Sequence, residues 1–169
     1  MSTFTEQNKI VNAYPAKDVD TATVATDIIS MKGYDHATFI ITFGVVNTEA
    51  VTSTNLIAYK GENVTTCDTA FACKYRAELT SAGDTLGALT TLSVDGITVG
   101  KAGDEDIQTG TNFLVVEIDA ADLAPTVANP YDTVRLGMIW SNHSILMNIV
   151  CILSNARWKD ADQPTAITD

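Results

Sequence analysis

No window of this 169-residue sequence sets apolar residues at i, i+3, i+4 and i+7 over three turns. Amphipathic helices are therefore excluded as its main building element. Basic residues are also scarce. Ten Lys and Arg stand against 21 Asp and Glu, for a net charge of −11. Such a surface repels phosphate backbones and anionic headgroups, which argues against nucleic acid and against a membrane as partners. The acids are spread along the chain, and only Asp104-Glu105-Asp106 form a run, so they read as a solvated face.

Cysteine is sparse and odd in number: Cys67, Cys73 and Cys151. An odd count implies no closed disulfide framework. Cys67 and Cys73, with five residues between them, could meet across a turn. Cys151 lies in an apolar run, where a free thiol behaves as a small hydrophobe. An apolar leader segment is missing from "MSTFTEQNKI", so the expectation is a chain made and assembled in a host cytoplasm.

A long unbroken apolar run is missing too. The most apolar stretch is Arg135–Trp158, "RLGMIWSNHSILMNIVCILSNARW". A spanning helix wants about 20 mostly apolar residues. Here Ser141, Asn142, His143 and Ser144 interrupt the stretch, and Asn148 follows. Each unpaired polar group in lipid costs several kcal/mol. The flanks, Val134–Trp140 and Ile145–Leu153, have strand length. The spacing predicts two strands joined by a hairpin turn at "SNHS".

What the chain does have is short runs rich in Thr, Val and Ile, closed by Gly, Asp and Asn. The clearest is Ala37–Val45, where Phe39, Ile41 and Phe43 alternate with Ile40 and Thr42. Further strands are expected at Thr21–Ser30, Asn55–Lys60, Phe71–Leu79, Leu89–Val94, Ile97–Lys101 and Phe113–Asp119. Asp95-Gly96 predicts a type I′ hairpin between two of these. "DAADL", residues 119–123, predicts one helical turn capped by Asp119 and ended by Pro125. Strands at roughly even spacing predict an all-β fold. The expected architecture is one domain over residues 1–169, a β-sandwich or jelly roll. Residues 1–9 and 160–169 are polar and unpatterned, and read as an N-terminal arm and a C-terminal tail.

Reactive constellations are thin. Ser144, His143 and an Asp spell a triad on paper, but adjacent turn residues do not give nucleophile-to-base geometry. His36 follows Gly-Tyr-Asp at a strand mouth. The Cys and His residues lack zinc spacing. "DEDIQTGTN" from Asp104 misplaces the Gly and Glu of a calcium loop. "GITVGKAG" from Gly96 is one residue short of a phosphate loop, with Ala102 where Ser or Thr is needed. Asn63-Val64-Thr65 and Asn142-His143-Ser144 match a glycosylation triplet, which matters only in a secreted eukaryotic chain. Tyr14, Tyr34, Tyr59, Tyr75 and Tyr131 are scattered and read as core and rim packing. No catalytic, cofactor-binding or metal residue is expected, and no enzyme.

Three segments taken together carry a resemblance: "DIISMKGYDHATFIITFG" (Asp27–Gly44), "FLVVEIDAADL" (Phe113–Leu123), and "DTVRLGMIW" (Asp132–Trp140) leading to "CILSNARW" (Cys151–Trp158). The chain resembles small β-rich structural proteins encoded in the head gene clusters of tailed bacteriophages, from about Asn8 to Trp158. It is longer than many of them through residues 60–112. The resemblance implies a virion protein that decorates or cements the capsid exterior. It also implies the major capsid protein as partner and a homo-oligomer, with a trimer favoured. It brings no site residue with it. Two further readings stay open: a neck, tail or fibre component of a virion, and a carbohydrate- or surface-binding β-sandwich module.

Overall fold

A computed structural model describes residues 3–19, 23–44, 52–53, 55–63, 65–78, 85–99, 113–141 and 145–157. The fold is all-β, two antiparallel sheets packed over one core, as expected of a sandwich.

The six-stranded sheet is built from β1 (Lys9–Val19), β4 (Tyr34–Phe43), β8 (Cys73–Ala77), β9 (Thr90–Leu92), β11 (Phe113–Asp119) and β13 (Ile145–Ala156). Its order is β1-β13-β4-β11-β8-β9. Period-2 alternation decides its faces. Phe39 and Ile41 of β4, Leu114 and Val116 of β11, and Ile149 and Cys151 of β13 are wholly buried. The second sheet has β6 (Asn55–Gly61) and β12 (Thr133–Ser141) at its centre, flanked by β2 (Thr23–Ala25) and β10 (Ile97–Thr98). The short strands β3 (Ile29–Ser30), β5 (Thr52–Ser53) and β7 (Cys67–Ala70) pair with β12, β12 and β6. Leu56, Ala58, Val134, Leu136 and Met138 form its inner face.

Several sequence expectations are corrected. Val134–Trp140 and Ile145–Leu153 are strands, but they do not form a hairpin. β12 lies in one sheet and β13 in the other, and the two are not paired. Two nearly continuous apolar runs suit strands that each need a neighbour on both sides, and β13 finds those neighbours in β1 and β4. Residues 142–144, where the sequence predicts the turn, lie outside the described residues.

Asp95-Gly96 likewise joins two sheets, because β9 pairs with β8 and β10 with β6. Type I′ needs positive φ at both central residues. Here Gly96 has φ 83° and Asp95 does not share it. The turn closes from Gly96 N to Ser93 O at 3.0 Å, with Gly at the fourth position. A Cβ on Gly96 would stand 2.6 Å from Leu56 O.

Thr21–Ser30 breaks into β2 and β3 at Thr26. That buried residue exchanges bonds with Leu136: its N donates to Leu136 O, and its Oγ1 accepts from Leu136 N, each at 3.0 Å. Phe71–Leu79 shortens to Cys73–Ala77, with a bridge from Glu78 to Leu86 beyond it.

Strand β1 was not legible in the sequence. Pro15 cannot donate to a ladder, and register shifts on either side of Tyr14 scramble the alternation. The strand tolerates Pro15 because it is the edge of its sheet. Residues 4–7, read as part of an arm, form a single helical turn, α1 (Phe4–Gln7), closed by Glu6 bonding Thr3 N at 2.6 Å. The predicted helical turn at 119–123 is a 3-10 helix, Ala120–Leu123, with Asp119 N bonded to Asp122 Oδ2 at 3.4 Å. Residues 160–169 lie outside the described residues.

Candidate functional site

At one end of the sandwich four segments meet: the Met31–Gly33 turn, the 3-10 helix, the 124–132 loop and the end of β13. Backbone bonds lock them. Met31 N donates to Asp132 O at 2.7 Å, Arg157 N to Gly33 O at 2.8 Å, and Asp132 N to Gly61 O at 3.0 Å. Gly33 makes the turn with φ 89°, a conformation that costs glycine little. Lys60 of β6 closes the end from inside. Its Nζ donates to Leu123 O at 2.7 Å and sits 4.6 Å from the Tyr131 ring centroid and 5.7 Å from that of Phe71. These contacts hold Tyr131 in place and satisfy the Leu123 carbonyl at the helix end. Between the segments lies a groove of about 240 Å³. Leu123, Pro125 and Pro130 give it apolar wall, and Lys32, Tyr131, Asp132 and Arg157 give it polar wall. Arg157 Nε is held by Asp35 Oδ1 at 2.7 Å, an exposed pair whose worth is positional.

One residue on from Asp35 stands His36, on the outer face of β4. Its Nδ1 lies 2.6 Å from Asp119 Oδ1 and its Nε2 lies 3.0 Å from Glu117 Oε2. Both acids come from β11, opposite β4 in register. The carboxylates hold the ring from two sides and do not converge on one point. Among the described residues no group of three or more His, Cys, Asp or Glu is placed to hold a metal ion. The paper triad cannot be placed, since His143 and Ser144 lie outside the described residues, as does the acidic stretch from Asp104.

The remaining candidates serve structure. Cys67, Cys73 and Cys151 are free and buried. Burial pushes the Cys67 thiol up to about 11 and the Cys73 thiol up to about 12, and raises Cys151 as well. Thiols held neutral in this way are poor nucleophiles. Asn63 Oδ1 accepts from Thr65 N at 2.8 Å and Thr66 N at 3.1 Å, so it makes a turn. Tyr14, Tyr34 and Tyr75 are buried, and burial raises the Tyr34 pKa. Tyr59 stacks under Arg135, whose guanidinium carbon is 4.5 Å from the ring centroid.

The six-stranded sheet also carries apolar groups on its outer face. Register sets Asn12, Val150, Ile40 and Val115 in one row, and Ile10, Ile152, Thr38 and Glu117 in the next. Ile10 is 52% exposed, and Ile40, Val150 and Ile152 are partly so. Beside them the free edge of β1 has no partner strand among the described residues. Sequence reading missed the His36 acids, the groove and this face. The outward parity of each strand was legible, but which strands stand side by side was not.

No family model matches the chain, and no curated protein matches it. Among solved structures the chain is similar to the crystal structure of SPBc2 prophage-derived protein YomS, at 11% identity and a TM-score of 0.44. The match covers 88% of this chain and 93% of that one.

Proposed function

We propose that this chain is a non-enzymatic structural protein of a phage virion, and within it a decoration or cement subunit on the capsid exterior. The observation that carries the reading is the outer face of the six-stranded sheet beside the open β1 edge. Contiguous exposed apolar groups mark contact surfaces, and an unpaired edge offers backbone groups to another chain. A cement subunit needs such a face on a rigid β module. It also gains from many weak contacts repeated over a symmetric shell. The net charge of −11 favours the outside of a shell over the DNA-facing inside. The sequence resemblance to phage head proteins supports the same assignment. The major capsid protein is then the partner, with a trimer as the assembled form.

Quantitative mass spectrometry on purified virions tests this, with the chain counted against the major capsid protein. Hundreds of copies in a simple ratio to the shell subunit are expected. A dozen or fewer would move the chain to a neck, tail or fibre. Its absence from particles would overturn the virion assignment.

A further inference from the structure

We propose that the groove between the Met31–Gly33 turn and the 124–132 loop is a binding subsite for a neutral, polyhydroxylated ligand: one sugar ring of a surface glycan. The proposal goes beyond the shell role and does not depend on it. A capsid subunit, a fibre or a free binding module could each present the groove.

Three features of the groove point to this ligand class. The first is its size. Pockets for drug-sized ligands measure roughly 300–1,000 Å³, and this space, about 240 Å³, is smaller and of the order of a single ring. The second is charge. Lys32 and Arg157 bring two cations, and Asp132 in the wall and Asp35 behind Arg157 bring two carboxylates, while a third cation, Lys60, is already engaged by Leu123 O and the Tyr131 ring. The near balance in the wall itself gives little net pull on a phosphate or on a cation. It does place donors and acceptors around one space, which is what a ring of hydroxyls uses, since each hydroxyl both donates and accepts. Lys32 and Asp132 make no side-chain hydrogen bond or ion pair among the described residues. Their bonding capacity is therefore still to be used. The third is rigidity. The bonds from Met31 to Asp132 and from Arg157 to Gly33 hold three walls in fixed relation, and Lys60 fixes Tyr131. A preformed site loses little entropy on binding. Pro125, Pro130 and the Tyr131 ring supply apolar surface for the C–H face of a sugar.

The test is a titration of the isotopically labelled full chain, followed by backbone amide shifts. The probes are glucose, galactose, mannose and N-acetylglucosamine, with inorganic phosphate and glycine as charged and zwitterionic comparators. At least one neutral sugar is expected to give saturable shifts at Lys32, Gly33, Tyr131 and Asp132, with millimolar affinity. Asp132→Asn should weaken that binding by about fivefold or more. Lys32→Gln, at an exposed position with no fold to disturb, should do the same with an unchanged melting temperature. Three results would each overturn the proposal: no saturable shift with any sugar, shifts that map away from the groove, or equal binding of phosphate or glycine.

Discussion

His36 Nδ1 stands 2.6 Å from Asp119 Oδ1 although 83 positions separate them in the chain. Glu117 takes the other ring nitrogen at 3.0 Å. One side chain thus clamps the outer face of β4 to two carboxylates of β11. The cluster is partly exposed, so its net worth is small. His36→Ala would leave Glu117 and Asp119 facing each other without the ring between them. The expected cost is about 1 kcal/mol, read as a lower denaturation midpoint with an unchanged slope. The double variant with Asp119→Asn should lose less than the sum of the two single changes. Strict additivity would show that the contact carries no coupling.

Phe39 sits wholly buried in β4, with Val116 and Cys151 opposite it on either side. Phe39→Ala should remove about 3–5 kcal/mol, a large part of the stability of a domain this size. Urea denaturation measures it. A loss under 1 kcal/mol would mean the two sheets do not share this core.

Gly61 ends β6 where β7 comes closest. A Cβ there would overlap Thr66 O and the Cα of Cys67, backbone atoms that cannot swing aside. Gly61→Ala should cost about 3 kcal/mol. Gly137→Ala offers a comparison, since its Cβ would meet the Tyr59 ring at 2.8 Å, a side chain rather than backbone. The Gly137 change should therefore be the milder of the two on calorimetry.

The thiols give a pH signature. Cys73 is raised from 9.0 to about 12 and Cys67 from 9.0 to about 11, both first through burial. Above pH 9 the unfolded chain sheds thiol protons that the folded chain keeps, so stability falls as pH rises. Below pH 9 the thiols contribute no slope. Cys73→Ala should flatten the decline between pH 9 and 12 relative to the parent, measured by urea titration at each pH. Reductant should leave the melting temperature unchanged, because the three cysteines are free. Slow labelling of the native thiols at neutral pH, against rapid labelling in urea, would agree with both.

Ile10 is half exposed on the outer face of β1 and is not one of the buried core residues. Under the proposed shell role, Ile10→Lys should leave folding intact and reduce occupancy on virus particles severalfold, since a charge is costly to bury at an interface. Unchanged occupancy on particles would clear this face of a role in shell contact.

The sequence by itself determined the class of the molecule. Alternation of Phe39, Ile41 and Phe43 marks a strand with one buried face, whatever its neighbours. The Ser141–Ser144 interruption and Asn148 exclude a membrane helix on local cost alone. Asp119 and Pro125 bound a single helical turn through capping and ring sterics. These are local effects, set within a few residues. Tertiary structure decided the partners. The SNHS and Asp-Gly turns looked like hairpins because a turn's residues encode a reversal, not the sheet that the next strand joins. β1 was hidden because its bulges and Pro15 are tolerable only at a sheet edge, and an edge is a fact about neighbours. The His36 clamp and the groove depend on pairings such as His36 with Asp119 and Met31 with Asp132. Those pairings follow from a strand order that buries both inner faces at once, and no short window of sequence contains it.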